Sequence, residues 1–265
     1  MPSLQSEPSK RRSQLVSHGH HLDLFSGIGG FAIAAQWAGF KTIAFSEIDP
    51  FCGRLLGERF PGIPNLGDIA DIDGREYKGL GLITGGFPCQ PYSVSGRREG
   101  SEDDRALWPQ MARVIQEARP RWVLGENVVG LATMGLDEVL DDLGNLHYST
   151  EAVIIPSCAV DAPHKRERIW IIASDSESGN RDEHETDRGH GQAQREEVFG
   201  NRACVPHRRE RWQDMPSVCR VDDGVSSGLD DDERRKALGN AIVPQLAFEI
   251  INKMTKIDNE DRMRL

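Results

Sequence analysis

The sequence predicts an α/β fold in which a mostly parallel sheet carries helices on both faces. Three observations lead there. From His21 to Ala173, short apolar runs alternate with segments whose apolar residues fall at helical spacing. None of these runs approaches the roughly 18 uninterrupted apolar residues of a membrane-spanning helix. The chain has 265 residues, 38% of them apolar and 28% charged, enough for one large soluble domain with a modest appendage.

The elements follow in order. HLDLF (21–25) has the apolar content of a buried strand and leads through a glycine-rich turn into a helix over Phe31–Ala38. KTIAFSEI (41–48) is the second strand, followed by a helix near Pro50–Phe60. A shorter element precedes Gly67-Asp68-Ile69, and LGLIT (80–84) is the fourth strand. Ala106–Ala118 has helical spacing, with Leu107, Met111, Val114 and Ile115 on one face. WVLGE (122–126) is the fifth strand and Leu136–Leu143 a helix, while STEAVII (149–155) and ERIWIIA (167–173) complete the sheet. Pro244–Met254 reads as a helix opened by proline.

Four regions result. Residues 1–19 are polar, carry Lys10-Arg11-Arg12 and lack periodicity, as a disordered leader does. Residues 20–173 form the α/β domain. Residues 174–233 are rich in charged residues, Gly and Ser, which marks a functional insertion or disorder. Residues 234–265 carry the final helix. The N-terminus has no apolar core of a signal peptide, so a cytoplasmic location is expected. Five cysteines without a C-x-x-C pair argue against a disulfide framework. Acidic residues outnumber basic ones 42 to 32, a formal charge of −10. That excludes a protein holding nucleic acid by bulk charge and leaves open one with a local basic cleft.

Four segments carry candidate chemistry. Gly27-Ile28-Gly29-Gly30-Phe31-Ala32 stands between a strand and a helix, where glycines let backbone approach a ligand and the helix N-terminus offers N–H groups. It satisfies the G-x-G-x-x-G/A fingerprint, and Glu47 ends the next strand where a ribose-binding acid belongs. The turn alone fits a nicotinamide cofactor or S-adenosylmethionine, and also plain tight packing. Second, the 80–84 strand runs into Gly85-Gly86-Phe87-Pro88-Cys89-Gln90-Pro91. A cysteine between two prolines sits in a stiff loop, not on a buried helix face, and suits a nucleophile. Third, Glu126-Asn127-Val128 ends a strand; a carboxyl there, beside apolar groups, can stay protonated and act as a general acid. Fourth, Arg166 and Arg168 stand two apart entering the last strand and so face one way. They suit a phosphate or a base carbonyl, or else a solvated sheet edge.

Together these residues closely resemble the DNA (cytosine-5) methyltransferases, in order along the chain. DLFSGIGGF (23–31) is similar to that family's first cofactor motif, and Pro88-Cys89-Gln90 to its catalytic-loop signature. Glu126-Asn127-Val128 matches the acid motif, and Arg166-Glu167-Arg168 the arginine pair. Gly239-Asn240-Ala241-Ile242-Val243-Pro244 matches the C-terminal motif that returns to the cofactor. His164 stands where the family commonly has glutamine, and the recognition segment is short.

The resemblance implies a Rossmann-like fold, S-adenosylmethionine as methyl donor and double-stranded DNA as substrate. It implies that Phe25, Gly27, Ile28, Gly29, Gly30, Glu47, Ile48, Asp68, Ile69, Pro88, Leu107, Asn240 and Ala241 hold the cofactor. Cys89 would add to C6 of cytosine, Glu126 would protonate N3, Arg168 would bind O2 and Arg166 would help to place the loop. Gln90, Ser93, Arg97 and Asn127 are expected at the substrate, with Ser93–Arg105 as a lid over a flipped base. The basic cluster Arg208, Arg209 and Arg211, in the region the family uses for recognition, is expected at DNA phosphates or base edges. A monomer and a cognate restriction endonuclease complete the expectation. Methylation of cytosine in RNA, a nicotinamide-dependent oxidoreductase and a non-catalytic binding protein are the alternatives. No metal is expected, because Cys204, His207 and Cys219 supply only three plausible zinc ligands.

Overall fold

The structure is a computed structural model that describes residues 19–88, 107–162, 164–175 and 237–264. The leader, the Ser93–Arg105 lid, nearly all of the 174–233 insertion and the Cys204, His207 and Cys219 trio lie outside the described residues.

Six strands form one sheet: β1 (His20–Leu24), β2 (Lys41–Ser46), β3 (Leu82–Gly85), β4 (Trp122–Val128), β5 (Tyr148–Pro156) and β6 (Glu167–Asp175). Their spatial order is β2-β1-β3-β4-β6-β5. Pairings from β2 to β4 are parallel, while β4–β6 and β6–β5 are antiparallel. The sheet is therefore mixed, parallel in its first four strands only. The cause is the short link between β5 and β6, which cannot make the helical crossover a parallel neighbour requires. A further strand expected before Gly67 is reduced to one bridge, Phe45 to Asn65. Pro61, Gly62 and Pro64 there remove donors and favour turns.

Alternation along the strands sends side chains to two cores. Ile83, Val123, Ile169 and Ile171 pack on one face with Met111, Val114 and Ile115 of α3 (Trp108–Ala118), and Val139 and Leu143 of a later helix share that cluster. Leu82, Leu124 and Trp170 pack on the other with α1 (Gly30–Trp37) and the C-terminal helix. Helices thus cover both faces, as the sequence predicts. Between α1 and α3 comes α2 (Pro50–Arg59), started by Asp49, whose carboxylate accepts from Phe51 N and Cys52 N at 2.9 and 3.2 Å. After β4 come the single turn α4 (Leu131–Met134) and α5 (Leu136–Asn145), the helix that carries Val139 and Leu143. The last helix, α6 (Pro244–Arg264), continues well past the Met254 where its apolar pattern ends. No helix among the described residues is long and apolar enough to cross a membrane. Cys52 is free and buried, whereas Cys158 is disulfide-bonded, which the cysteine count did not lead us to expect.

One polar strip crosses the sheet interior. His21 bonds Thr42 Oγ1 through Nδ1 (2.9 Å) and Thr84 Oγ1 through Nε2 (2.8 Å), and Thr84 Oγ1 donates to Asp23 Oδ1 at 2.9 Å. Burial pushes His21 down to about 3 and raises the Asp23 carboxyl well above its ordinary range, against the Thr84 hydrogen bond. Burial therefore disfavours the charged form of both groups.

Candidate active site

The carboxyl ends of β1 to β4 open on one cavity of about 1700 Å³. β1 has β2 on one side and β3 on the other, so the cavity lies where the strand order reverses, the place where open α/β sheets bind ligands.

One end of the cavity is built for an adenosine-like group. Phe25 follows β1 at φ 53°, a left-handed conformation unusual for a side-chain-bearing residue, and turns the chain into the glycine loop. Gly29 caps α1 at φ 85° and offers no side chain, so the helix N-terminus carries no side-chain cap bond. Glu47, just past β2, accepts from Gly27 N at 2.7 Å and from Asp49 N at 2.8 Å. Each of its oxygens thus keeps acceptor capacity for a hydroxyl donor. Asn65 fixes that carboxylate from behind. Its Oδ1 accepts from Glu47 N (3.0 Å) and Gly67 N (3.3 Å), and its Nδ2 donates to Glu47 O at 2.9 Å. One side chain therefore ties the Glu47 backbone to the Gly67–Ile69 segment. The far wall comes from residues 237–242, where a Cβ on Gly30 would meet Ile242 Cγ1 at 2.7 Å. Only glycine permits that approach.

The other end gathers the groups suited to acid chemistry. Glu126 is 7% exposed, and Arg168 Nε lies 3.0 Å from its Oε1. Burial raises the carboxyl above its usual range, while the charges of Arg168 and Arg166 pull it down. A proton is therefore retained more readily than in water, yet can still leave. Arg166 donates to Gly239 O at 2.8 Å, joining the arginine pair to the C-terminal segment. Gly86 leaves the carboxyl accessible: a Cβ there would stand 3.5 Å from Glu126 Oε2.

Of the residues expected at the cofactor, all but one line this cavity; Gly29 faces instead toward Phe60, whose ring a Cβ would meet at 2.5 Å. Glu126, Arg166 and Arg168 line it together, with Pro88 at its edge. Asn127, expected at the substrate, also lines this cavity; it is 3% exposed and its amide donates to Phe87 O at 2.9 Å. It braces the start of the catalytic loop. Cys89, Gln90, Ser93, Arg97, Arg208, Arg209 and Arg211 lie outside the described residues. The sequence reasoning missed Asn65 and Phe51, and gave no separate role to Phe31 and Ile242 within their motifs; Phe31, Phe51 and Ile242 supply apolar wall. Pro64-Asn65 just ahead of Gly67-Asp68 was the available signal for the first.

Comparison with known proteins agrees with this geometry. The model of the C-5 cytosine-specific DNA methylase family matches residues 20–218. The Type II methyltransferase M.DsaV of Dactylococcopsis salina is 37% identical over 156 residues, 57% of this chain and 44% of that protein. M.HhaI of Haemophilus parahaemolyticus is 33% identical over 156 residues, 57% of this chain and 47% of that protein. The chain thus matches less than half the length of these relatives. Among solved structures, a protein described as a DNA modification methyltransferase encoded within a prophage (E. coli) superposes with a TM-score of 0.51. It shows 25% identity and covers 59% of this chain and 46% of that one. The Rossmann-like methyltransferase fold, the cavity at its switch point and the ordered motifs agree: the chain belongs to the C-5 cytosine-specific DNA methylase family.

Proposed function

We propose that the protein transfers a methyl group from S-adenosylmethionine to C5 of cytosine in DNA. The observation that carries this reading is the convergence of Glu126, Arg166 and Arg168 on the cavity that also holds Glu47 and the glycine loop. The residues present fit the methyl donor. Glu47 has acceptor capacity for ribose hydroxyls, Ile48 is 66% exposed in the cavity wall as a surface for an adenine, and Asp68 and Ile69 lie beside it. Bound there, S-adenosylmethionine would supply an electrophilic methyl group.

This chain's residues would do the rest. Cytosine C5 is a poor nucleophile until a thiolate adds at C6. Cys89 supplies it, forming a C6–S bond and pushing the ring electrons toward C5. Glu126 donates its proton to N3 as this happens, so that no full negative charge accumulates in the ring. Arg168, beside Glu126, holds the base O2. After methylation, the C5 proton passes to a base, the C6–S bond breaks with its electron pair on the sulfur of Cys89, and N3 returns its proton to Glu126, restoring the C5–C6 double bond. Asn127 steadies the loop from which Cys89 acts. In a duplex the base must first leave the stack, at a cost of a few kcal/mol.

The proposed organisation is a catalytic unit over 20–173, a recognition insertion over 174–233 and a returning segment over 234–265. Arg208, Arg209 and Arg211 would contact DNA in that insertion. The relatives' designation as Type II methyltransferases supports a partner restriction endonuclease and a cytoplasmic setting. A monomer follows if one chain carries the whole site. The test is methylation of plasmid DNA and of tRNA by the purified protein with S-adenosylmethionine, followed by mapping of modified cytosines. 5-Methylcytosine at a fixed DNA sequence is expected. Methylation of tRNA alone would replace DNA by RNA as substrate, and none on either would overturn the reading.

A further inference from the structure

Three buried polar atoms at the catalytic end have no hydrogen-bond partner among the described residues: Trp170 Nε1, Arg166 Nε and Glu126 Oε1. Arg168 Nε is near Oε1, but that 3.0 Å contact is an ion pair and not an aligned hydrogen bond. All three residues line a second, small cavity of about 10 Å³ between β4, β5, β6 and the start of α6. Strand pairing explains the convergence. Glu126 stands opposite Trp170 in the β4–β6 register, and Arg168 shares the Trp170 face of β6. Ser157 lines the same cavity; its hydroxyl donates to Arg166 O and so retains an acceptor lone pair.

The inventory is specific. Two N–H donors and two oxygen acceptors surround a space close to the roughly 10–15 Å³ that one water occupies. Buried polar groups are rarely left unpaired, and a single water uses two acceptor and two donor directions. We infer that this cavity is a site for one structural water, which ties the Trp170 indole and the Arg166 guanidinium to the Glu126 carboxyl. Its consequence, which rests on the proposed methyl transfer, is that Trp170 is a positioning residue for Glu126. The water holds Oε1, and Oε2, on the Gly86 side, is left to meet the base.

Trp170→Phe keeps an aromatic ring in edge-to-face reach of Phe31 (6.1 Å, 80°) and removes only the N–H and part of the indole. A donor to the carboxylate favours its ionised form, so loss of the tether raises the Glu126 pKa. The high-pH limb of the methylation rate, where the acid must still carry its proton, should move up by roughly half a pH unit or more. In a Glu126→Gln background the same change should leave the pH profile where it was. A lower melting temperature with an unmoved limb would overturn the positioning role. Independently, a high-resolution crystal structure of the wild-type protein should show one ordered water within about 3.2 Å of all three atoms. A dry cavity would overturn the site, whether or not the Phe variant folds. If the wild type methylates nothing, the reaction falls while the crystallographic water still decides the site.

Discussion

Replacing Asp23 by Asn separates two opposed proton equilibria inside the sheet. Asp23 has a folded pKa well above its ordinary 3.8, so the folded chain keeps a proton that the unfolded chain releases. Its stabilising contribution is complete below about pH 3.8 and is lost as pH rises toward the folded value, at about 1.4 kcal/mol per pH unit. His21 runs the other way. Its folded pKa is about 3 against 6.5, so its contribution is complete above pH 6.5 and is lost as pH falls toward 3. Above pH 3.8, for as long as the folded Asp23 keeps its proton, the two slopes oppose each other in the wild type. Asn keeps a carbonyl for the Thr84 hydroxyl and has no proton to lose, so the variant exposes the His21 slope alone. The stability of Asp23→Asn relative to wild type should therefore rise between pH 4.5 and 6.5, by at most about 1.4 kcal/mol per pH unit. Urea denaturation at both pH values, followed by tryptophan fluorescence, measures it, and subtraction removes every group the two proteins share. A difference constant to within about 0.5 kcal/mol would mean that Asp23 is already ionised in the folded protein across this range, and would refute the assignment.

Four further outcomes are expected. Cys89→Ala should abolish methyl transfer and leave S-adenosylmethionine affinity within about twofold, by calorimetry, because the thiol acts on the base; DNA with 5-fluorocytosine at the target should trap a covalent complex with the wild type alone. Glu126→Gln should slow single-turnover methylation by about 10²–10⁴-fold with little change in DNA affinity, and a rate within threefold would make the residue structural. Asn65→Ala removes three hydrogen bonds around Glu47 and should weaken cofactor binding by roughly tenfold, an effect absent in a Glu47→Gln background. Gly30→Ala places a methyl 2.7 Å from Ile242 Cγ1 and should cost about 1–3 kcal/mol in urea denaturation, restored in part by Ile242→Ala.

The chemistry was the most legible part of the sequence, because it sits at strand ends. The glycine turn, Glu47 and Glu126 each follow an apolar run whose parallel strand ends at the cavity, and the arginine pair opens the antiparallel β6 that runs back from it. Repetition of β units left the direction of the last strands open, and the ten residues between Pro156 and Glu167, too few for a crossover, are what make β5 and β6 antiparallel. Asn65 was illegible for a different reason. An asparagine between turn residues reads as local backbone capping, and nothing in its neighbours says that its amide will reach a strand 18 positions earlier. Gly29 shows the limit of motif reading: membership in a motif gave the neighbourhood, and packing against Phe60 decided which way it turned.

The contact between α1 and α6 sets a schedule for synthesis. Phe31, Ala34 and Ala35 are covered by Leu246, Ala247, Ile250 and Ile251, which leave the ribosome about 200 residues later. At roughly 5–20 residues per second, that is about 10–40 s during which the nascent α1 lacks its cover from α6. The cavity wall at 239–242 arrives in the same interval, so the cavity closes only once that segment has been made.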